Sequence, residues 1–123
     1  MSSTNKGRPG KGQIINSNDK GKRFERWVSN YGQQHGLDAH RGQQRKGGVD
    51  SPDVIGYPCI HIEAKHNERL NVYDAMEQAI KDSNGQNKPV VIWKKNRKPV
   101  LVTMLIDDWW ELYEAWLKKD SIG

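Results

Sequence analysis

The sequence predicts an α/β fold, a central mixed β-sheet with helices packed on it. Three observations predict it. Segments with helical apolar spacing and segments with β-type alternation follow one another as helix, strands, helix, strands, helix. The run VVIW is apolar on both faces, as a buried central strand must be. The chain of 123 residues, 34% of them hydrophobic, suits one modest core.

Met1 to Ser17 is rich in Gly, Ser, Asn and Lys and reads as a flexible basic arm, residues 1–17, ahead of a single domain, 18–123. Lys6, Arg8 and Lys11 would be its phosphate contacts. Asn18 or Asp19 caps a first helix through GKRFERWVSNYGQQHG, with Phe24, Trp27, Val28 and Tyr31 as its apolar face and Gly36 as its stop. LDAHRGQQ reads as a short strand and RKGGVDSP as a loop punctuated by Gly47, Gly48 and Pro52. DVIGY and CIHIEAK are two strands joined at Gly56-Tyr57-Pro58. Alternation puts Cys59, His61, Glu63 and Lys65 on one face of the second strand, and Ile60, Ile62 and Ala64 on the other. NVYDAMEQAIKDSNG is a helix capped by Asn71 and closed by Gly85, with Val72, Met76, Ala79 and Ile80 as its stripe. KPVVIWKK and KPVLVTMLI form a hairpin around Asn96-Arg97. Asp107 caps a last helix, DDWWELYEAWLKK, whose stripe is Trp109, Leu112, Tyr113, Trp116 and Leu117.

The formal net charge of +5 favours an acidic partner, nucleic acid first among them. The single cysteine, Cys59, excludes an intrachain disulfide and points to a reducing cytoplasm. The first residues carry no apolar core of a signal peptide, and no apolar run is long enough to span a bilayer. His35, His40, His61, His66 and Cys59 lack the paired spacing of a structural zinc site.

The chemistry centres on SPDVIGYPCIHIEAK. A strand, a tight turn and a second strand separate Asp53 from Glu63, so neighbouring antiparallel strands would hold the two carboxylates about 5 Å apart. That arrangement suits a hard divalent cation, with the Ala64 backbone carbonyl as a further oxygen ligand. Such a cation offsets the charge of a phosphodiester and acidifies a water beside it. Lys65, on the Glu63 face, would hold water or stabilise charge growing on the phosphate. The bland alternative, a solvated strand face after a Pro-Asp turn, explains either half alone. Both halves together, beside a Gly-rich basic loop in a basic chain, favour chemistry.

Pro52-Asp53 followed by Glu63-Ala64-Lys65 resembles the PD-(D/E)XK nuclease superfamily. GKRFERWV resembles the first helix of archaeal-type and phage Holliday-junction resolvases. The similarity runs from about Gly21 to Trp93. It implies a restriction-endonuclease-like fold and a structure-selective DNA endonuclease that hydrolyses phosphodiester bonds in branched DNA, using Mg²⁺ with Mn²⁺ as a substitute. By the same resemblance Glu25 is a third active-site acid, joining Asp53, Glu63 and Ala64 around the metal, and Lys65 completes the catalytic set. The resembled resolvases are dimeric, and a four-way junction's near two-fold symmetry suits a homodimer making paired cuts. The setting implied is the cytoplasm of a prokaryote or a phage-infected host. Cys59 and His61 depart from the hydrophobic strand that often leads to the catalytic Glu. His61 tunes the site or touches phosphate, or is simply structural. Gln78 falls where some relatives carry an active-site glutamine.

Lys20, Lys22, Arg23, Arg41, Arg45, Lys46 and His66 are the expected DNA contacts, since basic groups there would gain affinity by counterion release. Lys94, Lys95, Arg97 and Lys98 form a second basic patch at a hairpin tip. Trp109, Trp110 and Trp116 either line a dimer contact or pack in the core. The rival functions are a nicking or restriction-like nuclease on the same scaffold, and a DNA-binding accessory protein without catalysis.

Overall fold

The computed structural model describes residues 17–42 and 52–122. Helix α1 (Ser17–Gln34) is followed by strands β1 (His40–Arg41), β2 (Val54–Ile55) and β3 (Ile60–His66). Helix α2 (Val72–Ser83), strands β4 (Lys88–Lys94) and β5 (Leu101–Met104), and helix α3 (Ile106–Ile122) complete the order. The five strands form one sheet in the order β1-β2-β3-β4-β5. Only β3 and β4 run parallel, because α2 carries the chain across between them; the other neighbours are antiparallel.

Alternation along β4 separates two cores. Val90 and Ile92 pack with Phe24, Val28, Val54, Ile62 and Ala64 on the α1 side. Val91 packs with Ala75, Met76 and Ala79 on the α2 side. Covered on both faces, β3 buries His61, Ile62, Glu63 and Ala64 in succession. The expected alternation is present, but both faces are covered along the middle of the strand, and only its ends, Ile60, Lys65 and His66, stay part-exposed.

The apolar face of α1 is narrower than predicted. Phe24 and Val28 are buried, whereas Trp27 and Tyr31 are 45% and 48% exposed and stack on each other at 5.2 Å. The arc that meets the sheet is completed by Ser29 and Gly32 instead. Gly32 is needed there: a Cβ would lie 2.8 Å from the Tyr57 ring, whose hydroxyl donates to Val28 O at 2.7 Å.

In α2 the Asn71 side chain caps Asp74 N–H, and the helix ends on Asn84 in the left-handed region, followed by Gly85. Its buried positions are Ala75, Met76, Ala79, Asp82 and Ser83. Ile80, expected in the stripe, is exposed, and an acid takes its place inside. The Asn96-Arg97 turn joins β4 and β5 as expected, with Arg97 at φ 59°.

The largest departure is α3. It begins at Ile106, so Asp107 lies within its first turn beside Asp108, where acids complement the helix dipole. Trp109, Trp110, Leu112, Trp116 and Leu117 are 43–61% exposed. With α1 and α2 already on the two sheet faces, no core remains for this stripe. Lys88 ties α3 to the sheet through Asp108 at 3.5 Å and Glu111 at 3.1 Å.

Candidate active site

The acidic pair arises from the pairing of β2 with β3. Val54 pairs with Ile62, so Asp53 and Glu63, one residue beyond on each strand, adjoin. Two further bonds hold Asp53 against β3: its N–H donates to Ile62 O at 2.9 Å, and its Oδ2 accepts Ala64 N–H at 2.9 Å. Gly56 makes this hairpin possible, because at φ 96° a side chain there would run into the Asp38 backbone. Both carboxylates are buried, Asp53 at 8% and Glu63 at 2% exposure.

Burial raises the pKa of both, because the charged form loses its hydration. Glu63 is pushed up to about 8, first by burial and next by the adjacent Asp53 charge, with Lys65 opposing. Hydrogen bonding between the two carboxyls favours the charged form of Asp53 and the neutral form of Glu63. The two Glu63 oxygens have separate neighbours. Oε1 is 3.9 Å from Lys65 Nζ, and Oε2 is 3.1 Å from His61 Nε2.

Glu25 reaches the same region from α1. Its pKa is also raised, chiefly by burial, although Arg41 Nε donates to its Oε1 at 2.9 Å. Arg41, expected as a phosphate contact, is thus paired with an acid at the site. Ser29 Oγ donates to the Glu25 backbone carbonyl one turn on.

Glu25, Asp53 and Lys65 meet at an open cleft of about 1110 Å³, whereas Glu63 and His61 lie outside its lining. Glu25, Arg41, Asp53, Ala64, Lys65 and His66 line it, with Lys20 and Lys22 on its α1 rim. Arg23 is exposed on α1 and lies outside the lining. Gln78 is exposed on α2 and also lies outside it. Arg45 and Lys46, with Gly47 and Gly48, fall outside the described residues, as do Lys6, Arg8 and Lys11. His66 lines the cleft while hydrogen-bonding Asn96 Oδ1 at 2.9 Å and meeting the Phe24 ring edge-on.

Sequence reasoning missed Asn67 and Arg69, which extend the cleft beyond His66. Their position directly after the EAK strand was the available signal. It also missed Asp82, which brings a third buried acid to within 4.8 Å of His61 and Glu63. Only the fold reveals that proximity, because Asp82 belongs to the crossover helix.

The donor set fits a divalent cation. Two adjoining buried carboxylates repel each other when both are ionised, and a cation between them would offset that cost. Asp53 and Glu63, supported by Glu25, offer the oxygen-rich environment that a hard cation takes.

A family model for the archaeal Holliday junction resolvase (Hjc) matches residues 16–111, more than half of the chain. Among solved structures, Hjc of Archaeoglobus fulgidus, a Holliday junction resolvase from an archaeal hyperthermophile, has a similar fold. The TM-score is 0.50 at 24% identity, covering 69% of this chain and 72% of that one. No curated protein matches the chain.

Proposed function

The chain belongs to the archaeal Holliday junction resolvase family, and we propose that it cuts four-way DNA junctions with Mg²⁺, Mn²⁺ substituting, in the cleft lined by Asp53 and Lys65 and backed by Glu63. The observation that carries this reading is the convergence of Asp53, Lys65 and Glu25 on one basic cleft, with Glu63 directly behind it. Asp53, Glu63 and the Ala64 carbonyl hold the cation, with Glu25 assisting. The bound ion supplies positive charge to the scissile phosphate and acidifies the attacking water.

The protein's own groups do the rest. The Ala64 N–H fixes the direction of the Asp53 carboxylate. Lys65 brings an ammonium to the cleft wall, where it orients water and offsets charge growing on the phosphate. Arg41 pulls Glu25 into place and leaves its second oxygen for the site. Lys20, Lys22, His66 and Arg69 hold the flanking phosphates.

Two copies would act together. The stripe of α3 is exposed, with Trp110 at 49% and Trp116 at 61%, and we place the homodimer contact on this surface. The working location is the cytoplasm of a prokaryotic or phage-infected cell.

Asp53→Asn is expected to abolish Mg²⁺-dependent cleavage of a labelled four-way junction while leaving junction binding within a few-fold. A folded variant that loses both together would count against the assignment. Equal cleavage of linear duplex and junction by the wild type would make it a nuclease without junction selectivity.

A further inference from the structure

We propose that His61, Glu63 and Asp82 form a second cation site, selective for a divalent transition ion such as Mn²⁺, on the α2 side of the sheet, sharing Glu63 with the site at the cleft floor. The three side chains come from two elements and meet inside the protein: His61 is 4% exposed, Glu63 2% and Asp82 6%. One donor atom from each lies within 4.8 Å of the other two. His61 Nε2 and Glu63 Oε2 are already 3.1 Å apart. Neighbouring ligands on an ion with bonds of about 2.0–2.2 Å lie roughly 3.0–3.4 Å apart, so this pair needs almost no movement. Asp82 closes the set with a small side-chain adjustment on a helix that is already docked.

Charge argues in the same direction. Three acids, Asp53, Glu63 and Asp82, are gathered in the interior around β3, and Lys65 is the cation that counters Glu63 from the cleft side. Buried carboxylates are costly without positive charge close by. One imidazole and two carboxylates form a borderline donor set, which Mn²⁺ accepts and Mg²⁺, preferring oxygen throughout, does not favour. None of the three residues lines the cleft. A cation there would act on Glu63 from behind. Glu63 would bridge the two positions, Oε1 toward the Lys65 side and Oε2 toward His61, and would be held ionised and oriented.

The proposal rests on the reading of the cleft only through this shared Glu63, and the test separates them. Metal-free full-length protein is titrated with Mn²⁺ by calorimetry and by electron paramagnetic resonance, alone and in saturating Mg²⁺. The wild type is expected to bind two equivalents, one of which persists against Mg²⁺. Asp82→Asn and His61→Gln should each remove the persistent equivalent, with far-UV circular dichroism confirming the fold. Asp53→Asn should remove only the Mg²⁺-sensitive one. A wild type that binds a single Mn²⁺, displaced by Mg²⁺ and unaffected by Asp82→Asn or His61→Gln, would overturn the second site and leave the cleft intact. A single equivalent lost in Asp82→Asn but kept in Asp53→Asn would support the second site and overturn the cleft.

Discussion

Glu63 is the residue on which most of the electrostatics turns. Its carboxyl is shifted from 4.5 to about 8 by burial and by Asp53. Between those pH values the folded protein holds a proton that the unfolded chain releases, so metal-free stability falls as pH rises through this window. Asp53 and Glu25, also raised, add in the same direction. Glu63→Gln should therefore flatten the dependence of the melting temperature on pH between about 5 and 8 in the presence of a chelator. A slope equal to the wild type's would show that this carboxyl does not carry the effect. At this scale the sequence was legible where neighbours are local. Asp53, Glu63 and Lys65 lie on one hairpin, so antiparallel pairing and strand alternation together bring them to one side. Asp82 was illegible, because its approach to His61 depends on how α2 docks across the sheet. Arg23 lies outside the cleft lining, because a helix turns its adjacent positions to different sides and proximity to Lys22 in sequence does not carry it there.

Among the elements, α1 shows how far periodicity reaches. Its existence and its stop at Gly36 were legible, but it already begins at Ser17, so Asn18 and Asp19 lie inside its first turn rather than capping it, and its inward arc was not legible either. Large aromatics drew attention to Trp27 and Tyr31, whereas Gly32, with no side chain to signal anything, makes the closest approach. Gly32→Ala should destabilise by about 1–3 kcal/mol through overpacking against Tyr57. The cost should shrink in a Tyr57→Ala background, which denaturant titration of the four variants would measure. Helix α2 was readable at both ends, through Asn71 and Gly85. Ile80 misled because an apolar residue is free to sit in water, whereas a buried acid such as Asp82 is a choice that composition does not announce.

For the whole molecule, the net charge of +5 pointed to nucleic acid, and the fold concentrates part of that charge at the cleft. Arg69→Ala should weaken junction binding and reduce the slope of log K against log salt by about 1. An unchanged slope would place Arg69 away from the phosphates. Trp116→Glu with Leu112→Glu should shift sedimentation from dimer to monomer, and an unaltered profile would move the contact elsewhere. The sequence showed that α3 was amphipathic and could not show what its stripe faces, because that depends on which sheet faces other helices have taken. The attachment of α3 has a consequence of its own. Lys88 grips Asp108 and Glu111 with side chains in reach of water, the kind of bond that salt loosens readily. Deuterium should therefore enter the α3 amides long before those of β3, and sooner still as the protein is diluted: the terminal helix would report, by fraying, whether its neighbour is present.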